Sequence, residues 1–480
     1  MTADSAPTIA RLFINEPTRH NALAVNTDHV RFDFSKQLQA YSGITSALHA
    51  LEARGLVQRI TALSAGAKIN TTEGREVTHM LLRHAALSAQ HDAARKLADR
   101  IASGAISTII NLGIGGSDLG LRLVDDAFRA AEISQRVALR FCTGLDPAEW
   151  REAVADLNPE TTAFVLASKS FSTLETLTTG ARARQWLGAY ATTNLFATTT
   201  APSKAIGIGV SAENIAAFDE SVGGRYSVWS AVNLPIRVAY GNAAVDALLA
   251  GAASMDQHFC NTPLPANAPV LAALARHFNR NQRQLSNHVV VPYAWGLRKL
   301  AEYLQQLVME SNGKRVDIDT GAAITTDPCS AVWGTVGTAA QHAYFQWLHQ
   351  HPVGAAVDII AVKPSADSGS VALFENAAAQ SRALAFGHAP DAADPLLAHK
   401  TSPGNRPNNF IALPSLAPES IGALLAFYEA SVFVEAFIAG INPFDQYGVE
   451  FGKVLAKQIA NGEMGDMDAS TKALLAWSRQ

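Results

Sequence analysis

Six short apolar runs, separated by helical patterns, constrain the fold of this chain more than any other feature. Three lie in the first half: Ser107–Leu112 (STIINL), Ala163–Ala167 (AFVLA) and Leu195–Thr199 (LFATT). Three lie in the second: His288–Val291 (HVVV), Val357–Val362 (VDIIAV) and Asn409–Leu413 (NFIAL). Buried strands alternating with helices indicate βαβ units, parallel sheets and helices on both faces. The expected architecture is α/β, with two α/β/α sandwiches in tandem and helical segments at both ends. The proline-rich stretch Asn261–Pro269 (NTPLPANAP) marks the seam. The expected partition is 1–60 (N-terminal helical segment), 61–265 and 266–415 (the two α/β domains), and 416–480 (C-terminal helical segment). Ligands of open α/β sheets sit beyond the carboxyl ends of the strands, so the chemistry is sought in the loops that follow them.

A chain of 480 residues exceeds the roughly 250 to 300 at which single cores stop growing, which agrees with two domains. With 48% hydrophobic and 17% charged residues and a net charge of −4, the composition marks neither disorder nor a basic face for nucleic acid. An anionic small substrate therefore needs a local site. Cys142, Cys260 and Cys329 are odd in number and widely spaced, which suggests a reducing compartment without a disulfide framework or thiolate metal site. No secretory leader is legible at the N-terminus, and a cytoplasmic location is expected. The segment Ile421–Ile441 is apolar enough to suggest a membrane span, but Glu429 and Glu435 make an amphipathic core helix the better expectation.

Several loops carry candidate chemistry. After the strand ending at Leu112 comes GIGGSDLG, with Gly116 and Ser117 at a strand-to-helix turn where backbone can approach a phosphate. The glycines at 113, 115, 116 and 120 miss the dinucleotide spacing, and a plain tight turn stays open. After AFVLA, Ser168, Lys169, Ser170, Phe171, Ser172 and Thr173 place four hydroxyls and a lysine within six residues, suited to a phosphate monoester or, taken singly, to helix capping. Arg225 follows two glycines in SVGGRYSVWS and supplies either an oxyanion partner or an ordinary ion pair. Glu310 ends the amphipathic run YLQQLVMESNGK, where a carboxylate can abstract a proton or simply be solvated. His342 follows a glycine-containing loop and is either catalytic or packed. Gln446 and Lys453 in FDQYGVEFGK are seven residues apart, on one face if a helix starts that early. No metal-binding motif is present, and no metal is expected.

Together these segments resemble the phosphoglucose isomerase family, whose fold is a pair of sugar-isomerase (SIS-type) domains. The resemblance rests on FDFSK, GIGGSDLG, SKSFSTLET, VGGRYSVWSA, YLQQLVMESNGK with WGTVGTAAQHAYFQ, and FDQYGVEFGK, in order and over nearly the whole chain. It implies interconversion of glucose 6-phosphate and fructose 6-phosphate in glycolysis and gluconeogenesis, by ring opening and proton transfer through a cis-enediolate, with no cofactor. The C-terminal segment would complete the site. Carried over by residue, Gly116 and Ser117 line the sugar, while Ser168, Lys169, Ser170 and Thr173 hold the phosphate. Arg225 stabilises the enediolate, Glu310 shuttles the proton, and Gln306 lies one turn earlier on the same face. His342 and Lys453 open the ring, and Gln446 is a site glutamine. The implied assembly is a homodimer with His342 contributed across the interface, and no nucleic-acid or membrane partner.

Ser170 and Ser172 stand where threonines are common, Ala339 and Ala340 replace Asn and Gly, and Pro443 replaces Ser, changes that bear on loop geometry and substrate affinity. The chemistry points to the same roles: a carbon acid needs a positioned base and electrostatic stabilisation of the enediolate, and a cyclic sugar needs a separate proton donor and acceptor. A non-catalytic sugar-phosphate regulator would not need Glu310, Arg225 and His342 together. A nucleotide-dependent oxidoreductase is weakened by the glycine spacing.

Overall fold

The computed structural model describes residues 8–84, 90–463, 465 and 467–480. Residues up to Pro443 form one compact unit and Phe444–Gln480 a second. The first unit holds two sheets. Its strands are β1 (Ala24–Asn26), β2 (Arg31–Asp33), β3 (Thr108–Leu112), β4 (Ala138–Cys142), β5 (Thr162–Ala167) and β6 (Leu195–Thr199). They continue with β7 (Ile215–Ala217), β8 (Asn287–Tyr293), β9 (Ala331–Trp333), β10 (Ala356–Val362) and β11 (Asn408–Leu413). All six expected strands are present, with ends shifted by a residue or two.

The first sheet is wholly parallel, in the order β4-β3-β5-β6-β7. Its central strands are buried along their whole length, as strands covered by helices on both faces must be. Ile110, Leu112, Phe164 and Leu166 pack on one side with Ala153 and Leu187, from helices Pro147–Ala153 and Leu174–Leu187. After β3 the chain passes to one side to form β4, then returns to the other side to form β5. The carboxyl ends of β3 and β5 therefore flank a topological switch point, where such sheets open a crevice for ligands.

The second sheet, β1-β2-β11-β10-β8-β9, has the expected parallel core in β11-β10-β8-β9 and adds two details. It is mixed rather than purely parallel, because β2 pairs antiparallel with β11, Phe410 opposite Asp33. The N-terminal segment is also not only helical: β1 and β2 form a hairpin that extends this sheet. Three-residue strands at a sheet edge give too short a period to stand out in sequence, and β7 and β9 escaped for the same reason.

Helix Pro418–Ala439 starts with proline in its first turn and stops at Gly440 in the left-handed region, the usual asymmetry of helix ends. It is long and apolar enough to cross a membrane, but it is buried on every side, so the expected amphipathic face is absent. It crosses helix Asn242–Asn261 at close range: a side chain at Gly422 would begin 1.9 Å from the Leu248 carbonyl oxygen. Its two carboxylates are paired inside the core. Glu429 accepts from Arg83 and, at 2.8 Å, from the Trp229 indole. Burial opposes ionisation of Glu435, yet Arg276 and Arg280, at 2.5 and 2.6 Å, outweigh it and hold the carboxylate below its usual range.

In the second unit a short turn, Tyr447–Val449, precedes helices Glu450–Ala460 and Ala469–Ser478. Gln446 lies before the turn in a non-helical conformation, so the helix does not start early enough to set Gln446 and Lys453 on one face. Lys453 is exposed and pairs with Glu450 at 2.8 Å.

Candidate active site

Two loops rise from the switch point. Beyond β3, Gly115–Ser117 forms a tight turn before helix Leu119–Ala130. The Asn111 amide donates to the Ser117 carbonyl at 3.0 Å and the Ser227 hydroxyl to the Gly116 carbonyl at 3.0 Å, which fixes the turn from both sides. A side chain at Gly116 would begin 1.9 Å from the Gly224 carbonyl oxygen, so the turn abuts the backbone just before Arg225. Gly116→Ala is expected to push these backbones apart and lower kcat/KM by about 100-fold, the usual effect of an ångström of misplacement. Steady-state kinetics on a variant of unchanged circular dichroism checks this, and near-parental kcat/KM would refute the requirement for close approach.

Beyond β5, Ser168–Thr173 wraps toward the start of helix Leu174–Leu187. Phe171 takes a left-handed backbone at φ 49°, uncommon outside glycine, and its buried ring anchors the loop in the core. The Ser168 and Thr173 hydroxyls lie 3.3 Å apart, and those of Ser170 and Ser172 are 2.7 Å apart. Lys169 donates to the Glu220 carbonyl at 2.6 Å, tying this loop to the segment that leads into Arg225. Burial, followed by the nearby charge of Arg75, holds the Lys169 ammonium below the usual lysine range. Such a lysine gains from an anionic ligand that neutralises it.

Arg225 lies in the turn Gly224–Trp229 with its side chain 1% exposed. Its Nη1 is 3.3 Å from Glu310 Oε2, and the glutamate side chain is 24% exposed, open to a ligand. Glu310 ends a π-helical stretch, Gln305–Glu310, that follows helix Leu300–Leu304. The local helix is thus wider than the α-helix expected, and π turns of this kind occur frequently at functional sites. The Gln306 amide, on the same stretch, lies 2.9 Å from where a side chain on Gly115 would begin.

The structure thus brings Gly116, Arg225, Gln306 and Glu310 into one cluster, with Ser117 on the same turn. Ser168, Lys169, Ser170 and Thr173 stand on the neighbouring loop. His342 is not buried, as a packed histidine would be, but exposed at the end of the short helix Gly337–Gln341. Gln446 and Lys453 belong to the second unit. Three groups around the arginine were not singled out from sequence. The Ser311 hydroxyl accepts from Arg225 Nε at 2.6 Å, the Tyr226 hydroxyl lies 2.9 Å from it, and the Pro443 carbonyl accepts from Arg225 Nη2. Ser311 and Tyr226 adjoin residues already marked, a usable signal. A backbone carbonyl carries none, and for the same reason proline in place of serine at 443 keeps this bond. Among the described residues, no group of three or more His, Cys, Asp or Glu is placed to hold a metal ion.

Two α/β sheets, with glycine, hydroxyl and arginine loops gathered beside the partly exposed Glu310 carboxylate, define an α/β protein with a candidate site for a small anionic ligand. The phosphoglucose isomerase family model matches residues 33–475. The chain is 40% identical to glucose-6-phosphate isomerase 4 of Rhodococcus jostii, over 98% of this chain and 93% of that one. It is 39% identical to the glucose-6-phosphate isomerase of Aromatoleum aromaticum, with the same coverage. The crystal structure of a glucose-6-phosphate isomerase from Chlamydia trachomatis superposes with a TM-score of 0.87 at 29% identity, covering 98% of this chain and 96% of that one. The chain belongs to the phosphoglucose isomerase family, whose reaction is the reversible isomerisation of glucose 6-phosphate and fructose 6-phosphate.

Proposed function

We propose that this site interconverts glucose 6-phosphate and fructose 6-phosphate with Glu310 as the single proton shuttle. The observation that carries the reading is the pair formed by a partly exposed carboxylate and a buried guanidinium 3.3 Å away. Glu310 takes the proton from C2 of the open-chain aldose and returns it to C1. The negative charge of the cis-enediolate develops beside Arg225, whose orientation is set before substrate arrives, so little reorganisation is needed as charge forms. Gly116, Ser117 and Gln306 line the sugar. Ser168, Lys169, Ser170 and Thr173 hold the phosphate, with the first-turn amides of helix Leu174–Leu187 pointing the positive end of its dipole at the anion.

Ring opening precedes this step. We assign it to His342 and Lys453, with Gln446 as a further site residue. The exposure of His342 supports its delivery into the site of a second copy, which makes the working enzyme a homodimer. The domain partition at 61–265 and 266–415, with the C-terminal segment completing the site, belongs to the same reading. So does a cytoplasmic setting, in keeping with three unpaired cysteines.

The purified full-length protein is expected to convert fructose 6-phosphate to glucose 6-phosphate in the presence of a chelator and without added cofactor. A folded, dimeric preparation that gives no turnover would sink the reading. In the same assay Lys169→Met should raise KM by about 10- to 100-fold, the worth of a charge-assisted hydrogen bond, with kcat little changed. An unaltered KM would remove Lys169 from the phosphate site.

A further inference from the structure

We propose that Ser311 is a positioning residue, whose hydroxyl aims the Arg225 guanidinium at the place where enediolate charge develops; this rests on the isomerase reading above. A guanidinium is a rigid planar fork, so its direction is set once two of its nitrogens are held. Here Nε donates to Ser311 Oγ at 2.6 Å and Nη2 to the Pro443 carbonyl, and these two bonds leave Nη1 directed at Glu310 Oε2, 3.3 Å away. Ser311 follows Glu310 directly, so base and anchor move as one piece.

That piece is itself fixed. Ser311 is wholly buried, its hydroxyl also meets the Tyr226 hydroxyl at 2.9 Å, and the Tyr226 ring stacks on His79 with centroids 4.5 Å apart. Lys314 Nζ donates to the carbonyls of Glu310 and Ser311 at 2.6 and 2.9 Å, and the Asn312 amide reaches the Val432 carbonyl at 3.3 Å. Arg225 is itself buried, so water has little room to replace a missing hydroxyl. Without Oγ the guanidinium loses the bond that fixes its Nε, and its alignment with Glu310 loosens. Among the described residues the Ser311 hydroxyl bonds Arg225 and Tyr226 and no residue of the Ser168–Thr173 loop, so the effect falls on the enediolate and not on substrate capture.

The test uses the full-length protein with Ser311→Ala and, because the first change is buried, Tyr226→Phe as a milder variant with one hydroxyl fewer around Ser311. Four quantities are read: kcat, KM for fructose 6-phosphate, inhibition by inorganic phosphate, and inhibition by a five-carbon aldonic acid 5-phosphate whose planar carboxylate resembles the enediolate. For Ser311→Ala the expected result is a fall in kcat of about 10- to 100-fold and an equal loss of affinity for the aldonate, with KM and phosphate inhibition within about threefold of the parent. Tyr226→Phe should give the same pattern at smaller size, and it decides the matter if Ser311→Ala does not fold. Parental kcat in the folded variants, or a parallel loss of phosphate affinity, would overturn the positioning role. An inactive parent would instead sink the isomerase reading itself, so the two failures are distinguishable.

Discussion

Glu310→Gln is expected to lower kcat by about 10²- to 10⁴-fold, the range contributed by a positioned acid–base group, while KM and inhibition by phosphate change little. The amide keeps the shape of the side chain and a hydrogen-bonding oxygen toward Arg225, so the loss isolates the proton transfer itself. It also removes a negative charge 3.3 Å from a buried guanidinium, while the bonds from Arg225 to Ser311 and to the Pro443 carbonyl remain. Binding of an enediolate-like inhibitor should survive or tighten for that reason. Steady-state kinetics in both directions is the check, and near-parental kcat would exclude Glu310 as the shuttle. If His342 acts across the interface, mixing subunits carrying Glu310→Gln with subunits carrying His342→Ala restores turnover, because a hybrid dimer holds one site with both groups intact. No recovery after verified subunit exchange would place His342 in its own subunit's site or outside the chemistry.

Arg225→Lys is expected to lower kcat by about 10²- to 10³-fold, the effect of losing one preorganised donor at a developing oxyanion. Lysine keeps the charge but not the fork. It cannot satisfy Ser311, the Pro443 carbonyl and Glu310 from one rigid plane, and its ammonium carries a larger hydration penalty at a site 3% exposed. The measurement is kcat together with the affinity of the aldonate 5-phosphate, and the two should fall together. A lysine variant that keeps more than about a tenth of the activity would mean that charge alone suffices and that orientation of the arginine is immaterial.

The long buried strands were legible in sequence because a strand covered on both faces is mostly apolar or β-branched along its length, as in β5 and β6, which are buried throughout. β4 was missed, since Arg140 interrupts its pattern at the edge of the sheet. The hairpin β1–β2 was missed because it contributes only three residues per strand to a sheet whose other strands lie hundreds of positions away. Helix Pro418–Ala439 was legible as an element but not in its surroundings. Its two glutamates are legible only as charges that argue against a membrane span, whereas Arg83, Arg276 and Arg280 come from distant segments to pair with them.

The candidate site divides in the same way. Side chains with a distinctive local context, such as Glu310 before a small polar loop, Arg225 after two glycines and Lys169 among four hydroxyls, are marked by sequence, because charged groups set among small residues stand out locally. By itself the sequence therefore determined the family, the α/β class and a set of candidate functional groups. Only the tertiary structure decided how they are held: the π turn beneath Glu310, the contact of Gly116 with Gly224, and the Ser311 and Pro443 bonds that aim Arg225. These depend on backbone atoms and on packing between segments as much as 218 residues apart. A carbonyl oxygen is present at every residue, and what sets one apart is the direction in which the fold points it.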